Sequence, residues 1–471
     1  MDYVLAIDQG THASRALLLD QDGQVVARSL HRTTLVRLPS GQVEQDAGQL
    51  LASTQAAVEE VLQALSATQR DAVHACGITT QRSTVIAWQT DGTPLSPAIS
   101  WQDTRGHRQV ERLQGKASDI RALSGLPLSA HYGASKLHWL RQRPGLPADL
   151  RMGPLAAWLL QRLTREKRFA VDHSNAQRMQ LLDIHRLDWS EELADCFEVP
   201  LEYLPPCRPV LHAYGTLHRQ GIPVTALCGD QNAAWYGSGQ PDRNTALVNL
   251  GSGAFILAAQ TTATAPAALL SSIASSDQTQ REYLLEGTVN GAGSALQWLQ
   301  DRWPDEDIQQ QLPHWLEWVR KPPLFLNSVG GLGSPWWCQG PAPGFVPDGD
   351  TPGVAEAAVA VAESILFLVQ YNLECMRQQQ ELTVLRVSGG LSQLDALCRK
   401  LASLSGLPVQ RMHDPEASAR GIAWLATGCP REWQTPHRPE SFAPAPDTAL
   451  ADRYMRFIEQ LRARVDTPVN E

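Results

Sequence analysis

The chain has 471 residues, 43% of them hydrophobic and 19% charged, and carries a formal net charge of −9. That length exceeds what one ordinary core supports, so two domains of roughly 200 to 250 residues are expected, and the mixed composition excludes a disordered chain. With 40 lysines and arginines against 49 acidic residues and no basic run, the charge pattern excludes a reader of nucleic-acid backbone.

Met1-Asp2 leads directly into an apolar strand, without the basic and apolar regions of a secretion signal, so the cytoplasm is the expected location. "YVLAIDQGTHASRALLLD", Tyr3 to Asp20, reads as strand, glycine turn and second strand, closed by the turn Asp20-Gln21-Asp22-Gly23. Asp46 is placed to cap a helix carrying Leu50, Leu51, Val58, Val61, Leu62 and Leu65 on one side. A strand then enters "CGITTQR", Cys76 to Arg82, and from Gly145 to about Leu217 the pattern is mostly helical with proline-rich joints. "VTALCGDQNAAWYG", Val224 to Gly237, gives a short strand, a Gly-Asp corner and a helix. The turn-forming "SGQPDRN", Ser238 to Asn244, marks the expected boundary between domains at 1–243 and 244–471.

The opening theme returns in "ALVNLGSGAFILAAQ", Ala246 to Gln260, and "LRVSGG", Leu385 to Gly390, repeats the strand-into-loop form of "CGITTQR". Two glycine turns, each joining two apolar strands and each opening one half, point to a duplicated α/β domain with a cleft between the copies. Val354 to Val369 is cut by Glu356 and Glu363 and is shorter than the roughly 20 residues a membrane helix needs, so a buried helix and no membrane partner are expected. A proline-rich connector, Pro436 to Pro446, precedes an amphipathic helix from about Asp447 to Val465. The 8 cysteines form no CxxC pair and have no histidine at zinc spacing, which reads as reduced thiols.

No GxxxxGK[ST] is present, and Gly251-Ser252-Gly253 lacks the third glycine and helical continuation of a dinucleotide fingerprint. A glycine-rich hairpin still binds phosphate, because successive backbone N–H groups in a tight turn form an anion nest. Two facing nests would hold a polyphosphate, and Asp8 at the end of the first strand would then hold magnesium beside the transferred phosphate. Taken singly, these residues have plainer readings: Asp8 as a turn acid, Asp230 as a helix cap, and Trp101 as core packing.

"IDQGTHASRALLLD", "GITTQRSTVIAW", "AISWQDTR", "SNAQRMQLLDI", "GDQNAAWYG", "NLGSGAF", "EGTVNGAGSALQWLQD", "GGLGSPWW" and "SGGLSQLDALCRKLASLSGLPV" stand in one order along the chain. In that order they resemble the FGGY carbohydrate kinases, and among these most resemble the glycerol kinases, over nearly the whole length. The resemblance implies two actin-like, ribonuclease-H-like ATPase domains with ATP, magnesium and substrate in the cleft between them. It implies Asp230 as the base that accepts the proton of the attacking hydroxyl, kept ionised by a helix N-terminus. It places Arg82, Trp101, His131, Gln231 and Phe255 with Asp230 around the substrate, and Asp8 at the metal. It places Thr11, His12, Arg15, Gly251, Ser252, Gly253, Gly293, Gln297, Gly389, Gly390 and Leu394 at the nucleotide, and makes Asp103 and Arg105 a structural pair.

Several residues depart from the glycerol kinase pattern. Ser83 stands where those enzymes carry a substrate-binding glutamate, and His131, with Tyr132 as the alternative, stands near a substrate-contacting tyrosine. A lost charged hydrogen bond costs roughly 1.5 to 3 kcal/mol, enough to redirect substrate choice without ending catalysis. His12 replaces a small hydroxylated residue, Leu394 an asparagine at the adenine, Cys338 an aspartate, and Arg399 a glutamine. The expectation is an ATP- and magnesium-dependent kinase for a primary hydroxyl of glycerol or a close relative, with a ketopentose, xylulose or ribulose, as the alternative substrate. The rival classes are a nucleotide-gated actin-like ATPase and a degenerate family member that binds sugar or nucleotide without turnover. A homodimer or higher homo-oligomer is left open.

Overall fold

The computed structural model describes residues 2–39, 41–147, 149–264, 266, 268–347, 352–412, 416–430, 433 and 439–465. Strands β1 (Tyr3–Gln9), β2 (Ala13–Asp20) and β3 (Val25–Arg32) form an antiparallel ribbon. Gly23 at φ +79° makes the turn between β2 and β3, a conformation that glycine adopts without steric cost. Strands β4 (Val73–Thr80) and β5 (Val224–Gly229) add in parallel, giving the order β5-β4-β1-β2-β3. Helix α1 (Ala47–Gln63) starts where the sequence indicates, with Asp46 Oδ1 accepting from the Gln49 amide at 2.6 Å. It lays Leu50, Ala57, Val58 and Val61 against Tyr3, Leu5 and Ile7, the alternate residues of β1.

The register of the three parallel strands positions the site. Asp8 lies beside Thr79, and both Gln9 and Gly229 lie beside Thr80, so β1, β4 and β5 end together at one edge of the sheet. In open α/β sheets that carboxyl edge is where ligands bind. Helix α2 (Asp230–Ala234) starts immediately after β5 at the same edge.

The second half repeats the plan. Its strands are β6 (Thr245–Leu250), β7 (Ala254–Gln260), β8 (Leu270–Ser276), β9 (Arg281–Val289), β10 (Val384–Ser388), β11 (Val409–Arg411) and β12 (Glu440–Phe442), ordered β8-β9-β7-β6-β10-β11-β12. The β6-β7 hairpin matches β1-β2, and β10 and β11 extend it in parallel as β4 and β5 do. This is the duplicated actin-like, ribonuclease-H-like α/β architecture that the sequence motifs imply. Helices α3 (Gly293–Gln300), α4 (Val354–Arg377) and α5 (Asp395–Ser405) complete the layer. By length and composition α4 could cross a membrane, but it is buried at the centre of this half, as Leu366, Val369 and Leu373 show.

Helix α6 (Ala417–Ala426) returns to the first half and covers the face of its sheet opposite α1. There Ile422, Ala423 and Leu425 meet Val4 and Ala6, the other alternate residues of β1, which explains why every residue of that strand is buried. Gly77 and Gly421 permit this approach: a Cβ would sit 2.5 Å from Ile422 O at the first and 1.7 Å from Ala233 O at the second.

Two regions differ from the sequence expectation. Between Gly145 and Leu217 the helices Leu155–Leu163, His173–Gln177 and Glu191–Phe197 alternate with paired two-residue strands such as Val171–Asp172 with Cys207–Arg208. Asp172 and Ser190 cap these short helices and cut the helical run. In the expected connector, Glu440–Phe442 is a strand at the sheet edge against β11, while residues 436–438 lie outside the described residues. All 8 cysteines are free.

Candidate active site

The common edge of β1, β4 and β5 carries two acids and one arginine. Asp8 is 6% exposed, and its Oδ2 lies 3.5 Å from Arg15 Nη1. Arg15 Nε also lies 3.6 Å from Glu416 Oε2, so Asp8 and Glu416 share one arginine. Burial pushes the Asp8 carboxyl up to about 7, with Asp230 and Glu416 adding to the rise and Arg15 opposing it. Asp230 opens α2, where its Oδ1 accepts from the Gln231 amide at 2.7 Å and lies 3.6 Å from Arg82 Nε. Burial raises its pKa while Arg82 and the Gln231 amide lower it, leaving it above the ordinary carboxylate value.

The two glycine turns are fixed in the same manner. In the first, the Thr11 carbonyl accepts from Thr33 Oγ1 and Gln45 Nε2, and the His12 carbonyl from the Thr33 amide. In the second, the Gly251 carbonyl accepts from the Gly293 amide and the Ser252 carbonyl from the amides of Ala292 and Ser294. Each turn has its carbonyls drawn back into the protein, the arrangement that leaves amides to face an anion. Gly293 is required for close packing, since a Cβ there would lie 2.9 Å from Gly251 O. Gly389, at φ +90°, faces Leu250 O and Asn249 Oδ1, at 2.5 and 2.6 Å from a Cβ built on it. Ser252 and His12 are exposed at the two tips.

Arg82 is held from both halves. Its Nη1 donates to Asn232 Oδ1 at 3.0 Å and Glu286 Oε2 at 3.2 Å, and its Nη2 to Glu286 Oε1 at 3.3 Å. Arg178 donates to the same Glu286 carboxylate and to Ser272 Oγ, the latter at 2.9 Å. Burial would raise the Glu286 carboxyl, but Arg178 and Arg82 overcome it and hold it down at about 2. Gly229 admits the Arg82 side chain, whose Cγ would lie 2.7 Å from a Cβ at that position. Sequence reasoning assigned no role to Glu286, Arg178 or Asn232, although each lies inside a motif singled out there.

Around this centre, Trp101 Nε1 donates to Thr11 Oγ1 at 3.0 Å, and its ring stands edge-on to His131 at 5.5 Å between centroids. Burial pushes His131 down to about 3, assisted by Lys136, Arg178 and Arg82, so its imidazole is neutral. Lys136 joins three carbonyls, those of Ser83, Trp101 and His131. Ser83 is 1% exposed at φ +62°, and its buried Oγ has no hydrogen-bond partner among the described residues. Asn249 Nδ2 donates to Gln231 Oε1 at 3.4 Å, a further link between the halves, and Phe255 is half-buried on β7 opposite Asn249.

Three further residues expected at the nucleotide lie on the elements after these turns. Gln297 is exposed on α3 and bonds Asp301, Leu394 packs against the core at the start of α5, and Gly390 stands in open space. The Asp103 and Arg105 pair is present: the Arg105 amide, Nε and Nη2 donate to the Asp103 carboxylate at 2.8, 2.9 and 2.7 Å. Arg399 pairs with Glu317 at the surface, and Cys338 is exposed.

Residues 3–237 match the model of the FGGY family of carbohydrate kinases, N-terminal domain, and residues 246–428 match the C-terminal domain of the same family. A glycerol kinase of Synechocystis sp. is 34% identical, with 90% of this chain and 90% of that one covered. A glycerol kinase of Haloferax volcanii is 31% identical with 98% of each covered. In fold, the chain is similar to Plasmodium falciparum glycerol kinase with ADP, at a TM-score of 0.84 and 22% identity over 100% of this chain and 99% of the other. It is also similar to a gluconate kinase from Lactobacillus acidophilus, at a TM-score of 0.87 and 20% identity over 99% of each.

Proposed function

The chain belongs to the FGGY family of carbohydrate kinases, which makes it an ATP-dependent phosphotransferase for a polyol or sugar, and we propose that Asp230 is its general base and glycerol its substrate. The observation that carries this reading is the Asp230 carboxylate, at the start of α2 on the edge where Asp8 also lies, with Arg82 Nε 3.6 Å away. Glycerol is chosen on the names of the 31% and 34% identical relatives.

Asp230 accepts the proton of a primary hydroxyl as that oxygen bonds to the γ-phosphorus and the bond to the β-phosphate oxygen breaks. Arg82 and the helix N-terminus keep enough negative charge on Asp230 for that role despite its burial. The turns at Thr11 to Arg15 and Gly251 to Gly253 hold the polyphosphate through backbone amides, and Arg15 sits beside its charge. Closure of the two halves, with α6 carried on the sheet of the first, excludes water from the reacting oxygens.

The residues present fit a magnesium ion. Asp8 is buried, and Asp230 and Glu416 add to the rise of its carboxyl against Arg15, so a cation is favoured beside it, and magnesium takes one or two carboxylates together with water and phosphate oxygens. Asp8 would hold it, and when bound it neutralises charge developing on the phosphate oxygens.

A second reading, a ketopentose substrate, is favoured by Ser83 and His131, which present a hydroxyl without a partner and a neutral imidazole near Arg82. Release of ADP is to be measured with glycerol, erythritol, xylulose and ribulose, using wild type and Asp230→Asn. Turnover of glycerol and a loss of kcat of about 10²- to 10⁴-fold in the variant are expected. A variant as fast as wild type overturns the base assignment, and preference for a ketopentose overturns glycerol.

A further inference from the structure

We propose that Glu286 is a positioning residue for phosphoryl transfer: as the shared counter-ion of Arg82 and Arg178 it holds the Arg82 guanidinium away from Asp230 and so keeps the base free. The proposal rests on the reading of Asp230 as that base.

The geometry is specific. Glu286 comes from β9 of the second half, whereas Arg82 follows β4 of the first and Arg178 follows the helix His173–Gln177. Both Nη atoms of Arg82 donate to Glu286, at 3.2 and 3.3 Å, whereas the nearest approach of the guanidinium to Asp230 is that of Nε, at 3.6 Å. A guanidinium has five donors in a rigid fork, and whichever carboxylate takes the bidentate edge receives the stronger pair. Here Glu286 takes it. Asn232 and Ser272 fix the arrangement from the side: Asn232 Oδ1 accepts from Arg82, while Ser272 Oγ accepts from both Asn232 Nδ2 and Arg178 Nη2, each at 2.9 Å. Arg82, Arg178 and Glu286 are 9%, 2% and 1% exposed, so water competes little for any of them.

Without the Glu286 charge, Arg82 would turn its fork to Asp230, and an opposite charge in bidentate contact makes a carboxylate a weaker base. The cluster as it stands has two arginines against two carboxylates. Glu286 is supplied by the opposite half, so the base keeps its proton affinity only when the halves are together. The other groups facing Asp230 are Asp8 across the edge and Cys228 beneath it, with Arg15 and Glu416 beyond Asp8.

The test is kcat/KM for glycerol against pH at saturating ATP and magnesium, in wild type, Glu286→Gln, Glu286→Asp and Arg178→Gln. Glu286→Gln should move the low-pH limb down by about one pH unit and lower kcat about tenfold or more. Glu286→Asp keeps the charge and should leave the midpoint in place with a smaller loss. Arg178→Gln removes a positive charge facing Asp230 and should move the limb up, the opposite sign, and it carries the test if Glu286→Gln does not fold. A merely structural Glu286 would lower activity or Tm in these variants with the limb unmoved, and that result overturns the proposal. Asp230→Asn separates the two readings. If it turns over at the wild-type rate, the base assignment falls and this proposal with it. If it is inactive while folded charge variants leave the limb in place, only the role of Glu286 is wrong.

Discussion

The indole nitrogen of Trp101 donates to the hydroxyl of Thr11 at 3.0 Å. One side chain therefore joins the first glycine turn to the part of the site that holds His131, whose ring stands edge-on to the same indole. Trp101→Phe keeps an aromatic wall and removes the tie. A neutral hydrogen bond contributes about 0.5 to 1.5 kcal/mol, so KM for ATP should rise about two- to tenfold. Initial rates at varied ATP and fixed polyol check this, and an unchanged KM for ATP would show that the tie does not set the position of the turn.

Gly421 of α6 lies against the backbone of α2, the helix that begins with Asp230. A Cβ at that position would be 1.7 Å from the Ala233 carbonyl oxygen, so Gly421→Ala must push the two helices apart. Overpacking of this kind costs about 1 to 3 kcal/mol. Thermal unfolding should show a lower Tm, and kcat should fall as well, because the displaced helix carries the base. A lower Tm with full kcat would mean that Asp230 is held by β5 rather than by its helix.

The parts of the site that were legible in the sequence are those made by local pattern. A strand that breaks on Asp8 and a glycine turn, and a strand that ends in Gly229-Asp230, announce themselves through spacing alone, and the repeat at Gly251 reveals the duplication. Glu286 and Arg178 were not legible in the same way. Their partnership spans 108 positions and that of Arg82 with Glu286 spans 204, so no window of sequence contains it. Both residues stood inside recognisable motifs, "EGTVNGAG" and "SNAQRMQ", but their roles depend on two halves meeting. Gln297 and Leu394 show the converse: their positions were legible, while their contacts, Asp301 and the core beside α5, are set by packing. The edge strand Glu440–Phe442 was hidden among prolines because three residues give no measurable alternation.

Ser83 buries a hydroxyl that has no hydrogen-bond partner among the described residues, which costs about 1 to 3 kcal/mol. Ser83→Ala should therefore leave Tm unchanged or raise it. If the substrate supplies the missing partner in the working enzyme, the same variant should raise KM for the polyol several-fold and reduce the thermal shift that the polyol produces. A variant with higher Tm and unaltered KM would exclude Ser83 from substrate contact. Ser83→Glu restores the acid of the glycerol kinase pattern, and its activity on glycerol relative to xylulose should increase.

Asp8 gives the clearest dependence on pH. Its carboxyl titrates near 7 in the folded protein against an ordinary value of 3.8, because it is buried beside Asp230 and Glu416. A folded state that binds the proton more tightly than the unfolded chain gains stability at low pH, fully below 3.8, and loses that gain as pH rises through about 7. In the absence of magnesium, the Tm of wild type should therefore fall between pH 5 and pH 8 relative to Asp8→Asn, which has no such proton to lose. Magnesium competes with the same proton, so the concentration needed for half-maximal activity should decrease as pH rises through this range. Differential scanning of the two proteins without magnesium measures the first effect, and initial rates of ADP release against magnesium concentration at several pH values measure the second. Parallel Tm curves for wild type and Asp8→Asn would refute the elevated titration, and a magnesium requirement that is flat with pH would remove Asp8 from the metal.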